Sequence, residues 1–278
     1  MYRIKERIKG YIRATRIIFW ETKYPLHTLI LLKFKPPPYR IALKSGEMIV
    51  ANDLSSIFDK LMGSYLERNF GSSDRYNYNH NGVTYRIHRF NSPATIFSTF
   101  IFQDWKKLNV KDKCVLDIGG YIGDTAIYFI TQGAKRIVVY EPYPYSYKIA
   151  LDNIAQNNLQ KKIIIINGGV AGLDSSITIN PEYANTNTTL AVAHPEVVRV
   201  PVVTLRTIVE EYDINEWVLK MNCEGCEYDA LANVEIQTLI KFSEVLMHYH
   251  SDPQPLIGKL KEAGFNVRLN GYIYATKK

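Results

Sequence analysis

From Lys113 onward, short apolar runs alternate with amphipathic stretches at the pace of a parallel sheet covered by helices on both faces. Cys114 to Ile118, Arg136 to Tyr140 and Lys162 to Ile166, the last with four successive isoleucines, read as buried strands. Helical periodicity fills the intervals, from Asp124 to Gln132 and from Tyr145 to Asn157. Residues 170 to 203 carry alternating segments, Ser176 to Ile179 and Val198 to Val203, around Asn/Thr-rich turns, which predicts an inserted β-hairpin. A helix (Leu205 to Tyr212), a strand (Trp217 to Asn222), a helix (Glu227 to Lys241), a strand (Glu244 to Tyr249) and a helix (Leu256 to Ala263) follow. Two last strands, Phe265 to Leu269 and Tyr272 to Ala275, are joined by Asn270-Gly271, a two-residue hairpin signal.

Before Lys113 the pattern is different. Ile4, Ile8, Tyr11/Ile12 and Ile18/Phe19 recur at helical spacing, and Pro36-Pro37-Pro38 reads as a stiff linker that closes this segment. A hairpin around Ser45-Gly46, a helix from Leu54 to Phe70 and a strand from Gly82 to Phe90 come next. The division expected is a basic helical segment (1–38), a lead-in or cap region (39–102) and an α/β domain (103–278).

Charge changes the picture at one end. Residues 1–40 hold ten Lys/Arg against Glu6 and Glu21, so the whole net charge of +7 originates there. Three readings stay open for this helix: a solvated face on a packed helix, an interfacial helix at an anionic membrane, or a basic arm for a nucleic-acid or phosphate-bearing substrate. With 46% apolar and 22% charged residues the chain is ordinary globular protein, and its apolar runs fall far short of a membrane span. The reading is cytoplasmic, with residues 1–35 as a candidate peripheral contact at the inner membrane face. Of three cysteines, Cys223 and Cys226 form a CxxC, with no second pair to complete a zinc site and with Glu224 opposing a thiolate. No disulfide, redox or metal role is expected.

The chemistry begins at VLDIGGYIGDTA, Val115 to Ala126. A buried strand ends at Asp117; Gly119, Gly120 and Gly123 supply the tight turn, close approach and helix packing of a nucleotide-binding loop. Asp117 and Asp124 would repel a pyrophosphate but suit a ligand with a cationic amino-acid end. About twenty residues on, Glu141-Pro142 ends the second strand, where a carboxylate can take both hydroxyls of a ribose. S-adenosyl-L-methionine meets both demands. Asp117, Gly119, Gly120, Tyr121, Gly123, Asp124, Thr125, Glu141, Pro142, Asn167 and Gly168 are the expected cofactor-binding residues.

VLDIGGYIGDTA, VVYEPYP and above all LKMNCEGCEYDAL (Leu219 to Leu231), with Thr204-Leu205 ahead of it, resemble the FkbM family of S-adenosylmethionine-dependent methyltransferases. The likeness covers about residues 90–275. It implies a class I, Rossmann-like sheet of seven strands with a reversed final strand, and O-methylation of a sugar, glycan or other small-molecule hydroxyl. The family's usual K-x-D-x-E-G-x-E has Asn222 in place of its Asp here. Open α/β sheets place ligands at the carboxyl ends of their strands, which nominates Asn222, Glu224, Glu227, His248 and His250. His250 is the expected general base, near neutral pKa, with Glu224 orienting it or the acceptor. The alternatives are an RNA methyltransferase, favoured by the basic N-terminus, and a non-catalytic S-adenosylmethionine-binding module. No specific nucleic-acid partner is expected, and oligomeric state is not legible.

Overall fold

The computed structural model describes residues 2–71, 74–89, 93–179 and 197–277, with side chains from residue 10. The chain divides into two compact units, Met1–Phe102 and Gln103–Lys278.

The first unit contains α1 (Tyr2–Glu21), α2 (Pro25–Phe34), the hairpin β1 (Tyr39–Ala42) and β2 (Met48–Ala51), α3 (Leu54–Phe70), the hairpin β3 (Arg75–His80) and β4 (Val83–His88), and α4 (Pro93–Ile96), which continues as a π turn, Phe97–Ile101. Asp53 caps α3, its side chain accepting from Ser56 N–H. The helix buries Ile57, Leu61 and Leu66 at helical spacing. α2 was not anticipated. It is apolar around its circumference, so it carries no periodic signature, and Pro25 opens it in the first turn, where a missing N–H costs nothing. The prolines at 36–38 do not isolate α1 and α2 as a separate segment. Buried Glu21 pairs with Arg68 of α3, and Lys23 N–H donates to Ala42 of β1 at 2.9 Å.

The second unit contains β5 (Cys114–Ile118), α5 (Asp124–Thr131), β6 (Arg136–Tyr140), α6 (Pro144–Gln156), β7 (Ile163–Ile166), β8 (Gly169–Ala171), β9 (Ser175–Ile179), β10 (Val198–Thr204), α7 (Leu205–Glu211), β11 (Trp217–Met221), α8 (Cys226–Ala232), α9 (Ile236–Leu239), β12 (Phe242–Met247), α10 (Gln254–Glu262), β13 (Phe265–Leu269) and β14 (Ile273–Lys277). Its main sheet runs β13-β14-β12-β11-β5-β6-β7. All neighbours from β7 to β12 are parallel, and β14 is antiparallel to both its neighbours. This is the Rossmann-like class I methyltransferase fold. β9 and β10 pair antiparallel, with β8 parallel on the other side of β10; the tip of the expected insertion lies outside the described residues. The helix anticipated from Glu227 to Lys241 is two helices, α8 and α9, divided at Asn233 to Glu235.

The strand order fixes where a ligand fits. From β5 the chain turns to β6 on one side and from β11 to β12 on the other, so the carboxyl edge of the sheet at β5 and β11 is the switch point where open α/β sheets take their ligands.

Candidate active site

The loop after β5 is tied down by its own backbone. The Gly119 and Gly120 N–H groups donate to the Tyr140 carbonyl at 2.9 and 3.2 Å. A Cβ at Gly119 (φ +75°) would stand 2.0 Å from the Asn222 carbonyl oxygen, and one at Gly120 2.0 Å from Val139 Cγ1. Glycine is therefore required there by the protein's own neighbours, on β6 and after β11. Gly123 (φ +77°) lets α5 begin close to Ala150 of α6, where a Cβ would sit 3.3 Å away. Buried Asp124 stands in the first turn of α5, where negative charge suits the helix dipole.

Beneath this loop lies an ion pair that sequence reasoning did not find. Lys220 of β11 and Asp117 of β5 are 1% and 0% exposed, with Nζ 2.7 Å from Oδ1. Lys220 Nζ also donates to the Gly119 carbonyl at 2.7 Å and stands 5.0 Å from the centre of the Trp105 ring. Thr125 Oγ1 donates to the other Asp117 oxygen. The expectation that Asp117 takes a ligand's ammonium is accordingly corrected: its carboxylate is sealed in the sheet and already holds a lysine and a hydroxyl. Thr125 serves Asp117 in the same way. The signal in the sequence was a lysine in the middle of the otherwise apolar WVLKM strand.

Glu141 closes the other side of the crevice. Its carboxylate is buried and accepts from Tyr121 N–H at 2.7 Å and Tyr143 N–H at 2.9 Å. Burial pushes its pKa up to about 7, against the opposing pull of those two N–H groups and of Lys220. Burial also raises the Tyr121 phenol, with Asp124 and Glu141 adding to the shift, so it stays neutral. Asn167 does not reach outward. Its Nδ2 donates to the Glu141 and Pro142 carbonyls, both at 3.0 Å, and Gly168 N–H donates to the Glu141 carbonyl at 3.2 Å. These two residues hold the Glu141-Pro142 turn in place.

The loop after β11 forms the second rim. Asn222 N–H extends the ladder to the Ile118 carbonyl at 2.9 Å, while its side-chain Oδ1 is buried without a hydrogen-bond partner. Glu227, fully buried, accepts from Cys223 N–H and Gly225 N–H, both at 2.9 Å, and so holds the turn from within. Glu224 (φ +57°) and Gly225 (φ +115°) are both left-handed. Cys223 and Cys226 are joined as a disulfide around them, which corrects the reading of that CxxC as without a role.

His250 sits between the two acids, 3.3 Å from Glu224 and 3.4 Å from Glu227. Hydrogen bonding to Glu224 and Glu227 outweighs burial and raises its pKa to about 9. His250, expected as a neutral base, stands between two carboxylates that favour its imidazolium form. For Glu227 burial raises the pKa, yet the bonds from His250 and from backbone N–H groups prevail and the net shift is downward. His248, 3.1 Å from His250, is shifted the other way by burial and by the neighbouring His250 charge. Among the described residues no group of three or more acidic, histidine or cysteine side chains has the arrangement of a metal site.

Solved structures similar to the chain include the FkbM methyltransferase of Methylobacillus flagellatus KT, at 18% identity and a TM-score of 0.45 over 64% of this chain and 47% of that one. The chain thus spans about half the length of that protein. A putative RNA methyltransferase of Pyrococcus horikoshii aligns at 14% identity and a TM-score of 0.40, over 68% of this chain and 87% of that one. TrmK of M. capricolum, in complex with S-adenosyl-homocysteine, aligns at 14% identity and a TM-score of 0.40, over 64% and 68%. No curated protein matches the sequence. Residues 117–267 match the family described as the methyltransferase FkbM domain. With more than half of its length inside that match, the chain belongs to the FkbM methyltransferase family.

Proposed function

We propose that the protein is an S-adenosyl-L-methionine-dependent O-methyltransferase acting on a hydroxyl of a sugar, glycan or other small molecule. The observation that carries this reading is Glu141. A buried carboxylate whose pKa is driven up by burial still has lone pairs to offer beside its two N–H donors, and a ribose diol supplies the donors it lacks. The residues present fit the donor on a second count, since the unsatisfied Asn222 Oδ1 offers an acceptor to an ammonium or hydroxyl. Glu141, the Gly119 to Gly123 backbone and Asn222 would hold it. When bound, it supplies a methyl group on a positive sulfur.

Methyl transfer needs an oxygen held in line with that carbon, so positioning supplies most of the catalysis. Glu224, a third exposed at the rim, is the carboxylate that accepts a hydrogen bond from the acceptor hydroxyl and takes its proton at a carboxylate oxygen as the carbon–oxygen bond forms. An oxygen receiving a methyl cation becomes strongly acidic, so a carboxylate suffices as base. The His250 imidazolium pins Glu224 from behind, and Glu227 pins His250.

The test is transfer of tritium from methyl-labelled donor to glycans, lipid-free sugars, small alcohols and tRNA, with parent and Glu224→Gln protein. Label entering a hydroxyl acceptor, and lost in the variant, is the expected result. Label entering tRNA alone would overturn the acceptor class; donor binding without transfer to any acceptor would mark a binding module.

A further inference from the structure

α2 is built inside out for a helix in water. Leu26, Ile30 and Phe34 recur at every fourth residue on one face and are 67%, 59% and 69% exposed. Tyr11, Ile12 and Phe19 of α1 and Tyr24 between the helices are exposed as well. A surface helix normally turns such a stripe inward. Contiguous apolar surface of this kind marks a docking face.

Charge identifies the partner. Residues 10–40 carry six basic side chains, and the single acid among them, Glu21, is buried against Arg68. Lys33 Nζ lies 5.1 Å from the Phe34 ring and Lys23 Nζ 5.5 Å from the Tyr24 ring, placing cations beside the exposed aromatics. Nucleic acid would account for the cations and leave the apolar stripe unexplained; an apolar protein partner would do the reverse. A bilayer with anionic headgroups answers both at once. A groove of about 1160 Å³ within the first unit adds to this, since Leu29, Leu32, Phe58 and Met62 line it together with Arg13 and Lys33. Its walls suit a lipid chain and its cations a lipid phosphate. Among the described residues no helix is long and apolar enough to cross a membrane, so the contact is with the surface.

We propose that α2 and the exposed side of α1 form a docking surface for an anionic lipid bilayer. The test is flotation of the full chain with vesicles of phosphatidylcholine alone or mixed with phosphatidylglycerol. The protein floats with the mixed vesicles and not with the neutral ones, and high salt weakens the association. Replacing Leu26, Ile30 and Phe34 together by serine lowers partitioning at least about tenfold. Replacing Lys23, Lys33 and Lys35 by glutamine lowers it about a hundredfold. These exposed substitutions leave circular dichroism and the melting temperature unchanged, which separates lost docking from lost fold. Failure to float with mixed vesicles overturns the proposal, and so does equal flotation of the serine variant. A parent dimer that the serine variant turns into monomers, without vesicle binding, overturns it in favour of a second copy of the chain.

Discussion

Lys220 and Asp117 form the pair on which the crevice floor rests. Both side chains are essentially unexposed, so removing one strands the other charge in the sheet. Lys220→Met is expected to cost about 3–5 kcal/mol of stability by urea denaturation, and the double replacement Lys220→Met/Asp117→Leu to recover part of it. A loss near zero in the single variant would contradict the pairing. For His250 the folded pKa, about 9, lies above the unfolded value of 6.5. Its contribution to stability is therefore complete below about pH 6.5 and lost as pH rises through about 9. Turnover should fall over that same alkaline step, as the neutral ring releases Glu224, and His250→Gln should lower kcat and flatten the step. A profile unaltered above pH 8 in the parent would contradict the clamp.

At the scale of elements, the glycine loop carries the sharpest expectation. Gly119→Ala puts a methyl 2.0 Å from a backbone carbonyl at a left-handed φ, so neither loop can hold its place. The variant should lose donor binding by calorimetry and melt at lower temperature; a fully active Gly119→Ala would show that the two loops are not locked together. Much of this level was legible in the sequence. α3 runs from Leu54 to Phe70 as expected, and the Asn270-Gly271 turn announced β13 and β14. α2 was hidden because an all-apolar helix has no period. The break between α8 and α9 was hidden for the opposite reason: buried Leu231, Val234 and Thr238 keep helical spacing straight through it. The candidate site was legible as a set of residues and not as a set of partners. The turn placed Glu141 and Glu224 at strand ends, but which carboxylate is taken by Lys220, and which by His250, depends on register between strands distant in sequence.

Over the whole molecule, the seven-stranded order with its reversed strand brings the loops after β5, β6 and β11 to one edge. Each loop contributes one part: a tight backbone, a buried acid and a rim of charged side chains. On the function proposed above, this edge binds an adenosyl donor through Glu141. Isothermal titration with S-adenosyl-L-homocysteine, on the parent and on Glu141→Gln, tests it most directly. One site per chain is expected, with about thirtyfold weaker binding in the variant, near 2 kcal/mol for hydrogen bonds to a charged acceptor, and weaker parent binding as pH falls below about 7 and Glu141 takes a proton. Absence of binding to the parent, or equal affinity in the two proteins at every pH, would contradict it.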